Sequence, residues 1–190
     1  MDFQTMRFFF ALLAIAANVA TFGIVAIGIA GRLDSSDADV RDRFFGSLRG
    51  LELWLAFVVA TTATLGSLYL SEVVHLIPCT YCWYQRIAMY PLVPLLGIAA
   101  WRKDHGIRVY AATLAGIGAV ISVYHRVIQV FPDLSGSACS STVPCTAAYF
   151  ELFGFVTIPY MALSAFLFIL ALLWVDRTNS AGHRPSLPDA

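Results

Sequence analysis

The chain has 190 residues, of which 59% are hydrophobic and 13% charged, with a mean hydropathy of +0.74 and no net charge. Soluble domains carry about a quarter of their residues as charged groups, so a water-solvated globular domain is excluded. A nucleic-acid partner is excluded as well, because there is no basic excess to neutralise phosphates.

Charge-free runs organise the sequence. Residues 8–31, 53–71, 87–101, 109–124 and 152–175 contain no Asp, Glu, Lys or Arg. A spanning helix needs about 20 mostly apolar residues, so five transmembrane helices are expected. The first run is longer than the hydrophobic region of a signal peptide and lacks a basic stretch before it, which predicts a retained helix. The third and fourth runs are short. They reach spanning length only if Arg86, or His125 and Arg126, lies at membrane depth. Pro91, Pro94 and Pro159 fall within predicted helices and are expected to mark kinks. The tail over 177–190 is small, polar and Pro-containing, and is expected to be disordered.

With five helices the loops alternate between the two sides. The segments 32–50, 102–108 and 177–190 fall on one side and hold nine of the twelve basic residues; Arg7, Arg86 and Arg126 remain on the other. Basic loops stay in the cytoplasm. This predicts a multi-pass protein of the cell membrane with all four cysteines (Cys79, Cys82, Cys139 and Cys145) facing the extracytoplasmic side, where disulfides form. Two outward pairs and no other cysteine point to a redox relay.

The first pair lies in "IPCTYCWYQRIAMYP", where Cys82 falls near a helix start and the helix dipole favours a thiolate. Arg86 follows four residues later on the same face. It either supports that thiolate and a ligand oxygen or snorkels to the headgroups. His125, in the last turn of the fourth helix, is expected at similar depth, and the two side chains could together grip the oxygens of a flat apolar molecule. Gln129 shares a face with His125 and is expected to line the same opening. The second pair, in "SGSACSSTVPCTAAYF", reads either as a mobile redox loop or as a structural staple. A four-cysteine zinc site fits the spacing poorly, so no metal is expected.

The motifs "GSLYLSE", "IPCTYCWYQRIAMYP", His125–Gln129–Pro132, "CSSTVPC" and "FGFVTIP", spread over about residues 65–168, resemble the DsbB family of membrane thiol oxidases and its compact BdbC-type branch. The resemblance implies an all-α integral membrane protein with a DsbB-type four-helix bundle, here over 51–176. The chain departs from that family pattern in one additional N-terminal transmembrane helix, read from the charge-free run 8–31, and a cytoplasmic loop, together spanning 1–50. The resemblance also implies reoxidation of an extracytoplasmic DsbA/BdbD-like thiol–disulfide oxidoreductase, with the electrons passed to a membrane quinone, menaquinone or ubiquinone. Carried over, Cys139 is the sulfur attacked by the partner, and Cys145 attacks Cys79. Cys82 faces the quinone, which Arg86, His125 and Gln129 help to bind. A membrane scaffold with purely structural disulfides is the competing reading. A vitamin K epoxide reductase type is disfavoured, since there the Cys-x-x-Cys follows the loop pair along the chain.

Overall fold

A computed structural model describes residues 3–134 and 144–181. The elements are α1 (Phe3–Leu33), α2 (Ser35–Ser47), α3 (Glu52–Glu72), α4 (Thr80–Met89), α5 (Leu92–Arg102), α6 (Arg108–Val130) and α7 (Ile158–Ala181), with short 3-10 turns at His105–Ile107 and Pro132–Leu134. The protein is all-α and multi-pass. Four of its helical stretches are long and apolar enough to cross a membrane: Phe3–Leu33, Glu52–Glu72, His105–Val130 and Ile158–Ser180.

The third charge-free run forms two short helices instead of one long one. Pro91 sits between α4 and α5 and, like Pro94, has no N–H to continue the helical ladder. Val93 N–H therefore reaches back only to Tyr90 O, at 3.2 Å. Pro91 itself keeps helical angles (φ −63°, ψ −23°), so the chain bends without unwinding.

Helix α7 is the centre of the bundle, burying Phe166, Ile169, Leu172 and Val175. An apolar helix without a polar face suits a position surrounded by neighbours. Helix α6 meets it with a small-residue stripe, Ala111, Ala115, Gly118 and Ser122. A Cβ on Gly118 would lie 2.2 Å from Phe166 Cζ, so only glycine admits that ring. Close backbone approach of this kind is how helices associate where lipid removes the hydrophobic driving force. Helix α1 runs parallel to α7. Asn18 Nδ2 donates to Tyr160 Oη (3.0 Å) and Ser164 Oγ (2.7 Å), and Trp174 fills the space beside Gly28.

One end of the bundle carries Arg32, Arg41, Arg43, Arg49, Arg102, Lys103 and Arg108, and Cys79, Cys82 and Cys145 lie at the other. At the basic end Asp176, 1% exposed, accepts from His105 Nδ1 (2.7 Å) and Arg108 NH1 (3.2 Å). Asn179 donates to Phe45 O and to Glu52 Oε1, tying α7 to α2 and α3.

Four sequence expectations differ from the structure. The segment expected as a loop over 32–50 contains α2, which is held across the basic end by Phe45 packed edge-on to Trp174 at 5.8 Å. The last helix starts at Ile158, not near residue 152, because Phe153 (φ 56°) and Gly154 (φ 77°) turn left-handed and a Leu152–Val156 bridge closes the turn. Pro159 is thus in the first helical turn, where its missing N–H costs nothing, and makes no kink. Helix α7 also continues four residues past Arg177 into the stretch expected to be a disordered tail.

Candidate active site

The thiol pair is positioned by a helix cap. Cys79 is the N-cap of α4, with extended backbone (φ −72°, ψ 172°), and its sulfur accepts from Cys82 N–H at 3.4 Å. The sulfur thus takes the place of the usual Ser or Asp oxygen at a helix N-terminus. One turn of helix then returns Cys82 beneath it, with Cys82 Sγ 3.0 Å from Cys79 Sγ, both as free thiols. The sequence placed the favourable dipole position at Cys82, whereas in the structure the capping sulfur is Cys79. Its thiol is held far below the ordinary range, chiefly because it accepts from the Cys82 thiol. Burial opposes this, and the hydrogen bond and charge of His125 reinforce it.

His125, 2% exposed, points Nε2 at Cys79 Sγ across 3.6 Å, while its buried Nδ1 has no partner among the described residues. The Tyr81 ring packs beside it at 5.7 Å. Gln129 turns its carbonyl to Arg126 (3.4 Å), and Arg126 in turn reaches Glu151 at 3.6 Å. His125 and Gln129 line a small space of about 10 Å³ between the thiol pair and Pro144, Ala147 and Tyr149. That is room for about one water molecule. Cys145, 1% exposed and disulfide-bonded, packs in one buried cluster with Cys79 and Ile128. Cys139 lies outside the described residues.

A much larger space opens on the Cys82 side. Cys82, Gln85 and Arg86 form one wall of a predominantly apolar, partly open cavity of about 520 Å³ lined by α1, α3, α4 and α7. Small-molecule sites run from about 300 to 1,000 Å³. Arg86 NH2 donates to Ser67 O (3.0 Å), and its guanidinium lies 5.2 Å from the centre of the Trp83 ring. It is therefore fixed inside the protein and does not snorkel. Gln85 Nε2 donates to Ser122 Oγ at 3.0 Å, locking α4 against α6 beside the thiols.

The sequence expected Arg86, His125 and Gln129 around one opening. The structure places Arg86 in the large cavity and the other two in the small space, with the cysteine pair between them. Depth along a helix was readable from the chain order, but the direction each side chain takes around the helix was not. Sequence reasoning also passed over Gln85, Ser67 and Tyr149, all of which line the large cavity. Gln85 and Ser67 do lie inside the quoted motifs, so a signal was present. Tyr149, which donates to Ile77 O and borders both spaces, likewise lies in a quoted stretch, four residues after Cys145.

The sulfurs of Cys79 and Cys82 and a ring nitrogen of His125 lie within 4.8 Å of one another. Two thiols and an imidazole suit thiol–disulfide chemistry and are also soft-metal ligands.

Comparison with known proteins decides between these. Residues 51–175 match the family described as "Disulfide bond formation protein DsbB". The chain belongs to the DsbB family. Similar relatives include "Probable disulfide formation protein C 1" of Bacillus anthracis, 52% identical over 129 residues, which cover 67% of this chain and 92% of the relative. "Disulfide bond formation protein C" of Bacillus subtilis is 49% identical over 122 residues, 64% of this chain and 88% of that protein. "Probable disulfide formation protein C 2" of Bacillus anthracis is 46% identical over 130 residues, 68% of this chain and 93% of the relative. No solved structure matches. These matches support the BdbC-type branch within the DsbB family. The protein is a disulfide-forming membrane thiol oxidase, and its Cys79 and Cys82 thiols lie side by side, as such redox chemistry requires.

Proposed function

We propose that this DsbB-family oxidase takes electrons from an extracytoplasmic DsbA/BdbD-like partner at Cys139–Cys145 and delivers them through Cys79–Cys82 to a quinone in the large cavity. One observation carries the reading: the thiol pair stands between disulfide-bonded Cys145 on one side and a 520 Å³ apolar cavity lined by Cys82 and Arg86 on the other.

The exchange steps balance in sulfur and electrons. A partner thiolate attacks Cys139, forming a mixed disulfide and releasing Cys145 as a thiolate; the partner's second thiol then frees Cys139. Cys145 attacks Cys79 of the Cys79–Cys82 disulfide, and Cys82 leaves as a thiolate. Cys139 next attacks Cys145, restoring the loop disulfide and leaving two electrons on Cys79 and Cys82. Free Cys79 and Cys82 beside a disulfide-bonded Cys145 correspond to this last stage. Capping of the Cys79 sulfur by the Cys82 N–H and the nearby His125 stabilise negative charge on the pair. A bound quinone supplies the two-electron, two-proton acceptor. Arg86 orients its head group by a charge-assisted hydrogen bond, and the apolar lining excludes water. His125 and Gln129 act on the sulfur side of the relay.

The same reading sets the membrane arrangement. Helices α4 and α5 together cross the bilayer as one bent span, giving a four-helix redox bundle with α1 as a fifth span. The basic end is cytoplasmic by the positive-inside rule. The test is anaerobic mixing of purified protein with reduced thioredoxin-like partner and a ubiquinone or menaquinone analogue, following quinol absorbance. Turnover in the wild type and its loss in a folded Cys82→Ser variant are expected. No turnover with either quinone class would overturn the reading.

A further inference from the structure

Resting on the reading of the large cavity as the quinone site, we propose that α1 is a wall of that site and that Arg7 is a second cationic donor to the quinone head group. Arg7, Phe10, Ala14, Ala17 and Ala20 all line the cavity, and they recur every three or four residues. That spacing is one face of a helix. Small residues hold the apolar part of the stripe open, and Arg7 ends it at the end of the bundle where Cys82 lies.

Helix α1 is a fixed wall and not a loose tether. Asn18 is hydrogen-bonded to two residues of α7, and a Cβ on Gly66 of α3 would lie 2.7 Å from Phe10 Cζ. Phe3 and Phe8 pack edge-on to Phe150 and Phe153, both at 6.1 Å, which pins the Arg7 turn over the loop that follows Cys145.

Arg7 has no carboxylate partner among the described residues. Its guanidinium lies 5.9 Å from the Phe3 ring and 5.8 Å from the Phe8 ring, and its Nε is buried with no hydrogen-bond acceptor among the described residues. A buried donor without an acceptor is costly, and an arginine at membrane depth faces a cavity or a partner. A quinone carries carbonyl oxygens on opposite edges of one flat ring. Two arginines lining a single cavity from different walls, Arg7 on α1 and Arg86 on α4, match that chemistry.

The "Probable disulfide formation protein C 2" of Bacillus anthracis is too short to carry this wall. Because 130 matched residues make up 93% of that relative, only about ten of its residues fall outside the match, too few for a 31-residue helix. The family match likewise begins at residue 51.

The experiment uses the full chain in lipid nanodiscs with a short-chain ubiquinone and a reduced thiol substrate. Arg7→Gln is expected to raise the KM for quinone about tenfold or more, as loss of a charge-assisted hydrogen bond does, while the KM for thiol substrate stays unchanged. Arg7→Lys should recover most of the loss. Ala17→Phe, which fills the cavity from the same stripe, should raise the quinone KM in the same selective way. A photoreactive azidoquinone should label residues 3–20. Unchanged quinone KM in all three variants, or labelling of that stripe by a photoreactive phospholipid but not by the azidoquinone, overturns the proposal. A wild type that reduces no quinone overturns the cavity assignment itself, whatever the variants do.

Discussion

Replacing His125 with alanine removes the ring nitrogen that faces Cys79 Sγ across 3.6 Å. Hydrogen bonds to charged groups contribute about 1.5–3 kcal/mol, and the long contact favours the lower end. About 1.4 kcal/mol is a tenfold change in the thiol–thiolate equilibrium. The Cys82 hydrogen bond, the leading cause of the depressed Cys79 value, survives the substitution. The variant should therefore keep a depressed value but lose about tenfold of the effect. The sign follows from linkage. The folded value lies below the roughly 8.5 of a free thiol, so the stabilisation of the dithiol form is fully present above that pH and is lost as pH falls through the folded value. The assay is thiolate absorbance at 240 nm against pH in a Cys139→Ser/Cys145→Ser background, with and without His125→Ala. One thiolate should persist well below pH 8.5 in the background protein, and its midpoint should rise in the His125→Ala variant. Titration of both thiols near 8.5 in the background, or no movement on losing His125, refutes the reasoning.

Other outcomes follow from packing. Asp176→Ala strips Arg108 and His105 of a buried acceptor. Since those partners are 25% and 44% exposed, the cost should be about 2 kcal/mol, discounted for solvent screening, and the melting temperature in detergent should fall by about 4–8 °C. Gly118→Val pushes a side chain into the Phe166 ring and should destabilise by about 1–3 kcal/mol or more, read from the same melts, whereas Gly116→Ala, which meets nothing within 4 Å, should not. Gln85→Leu leaves Ser122 Oγ without its α4 donor and should slow electron transfer out of the thiol pair more than it slows partner oxidation, as seen by stopped-flow with the two half-reactions separated.

Much of this molecule was legible in its sequence because lipid tolerates few exceptions. Charge-free runs located the apolar segments, and the stretch around Cys79, Cys82 and Arg86 announced both the helix start and the arginine that lines the large cavity. Local chemistry of that kind is written in neighbouring residues. What escaped depended on contacts between distant ones. Helix α2 forms where Phe45 finds Trp174, and an Arg/Asp-rich segment gives no periodic apolar face to reveal it. The late start of α7 turns on left-handed Phe153, a residue with no intrinsic preference for that region. The separation of Arg86 from His125 depends on how α4 and α6 rotate about their axes. Arg7 was counted only among the basic residues of the outer side, because nothing in its neighbourhood says that α1 packs against α7.

The relay requires Cys145 to reach Cys79, and this step can be isolated. In a Cys82→Ser/Cys139→Ser variant only Cys79 and Cys145 remain as thiols. Mild oxidation in nanodiscs followed by mass mapping should yield an intramolecular Cys79–Cys145 disulfide in most molecules. Recovery of two free thiols, or of cross-links only between separate chains, would contradict electron passage from the loop pair to the helix-capping pair.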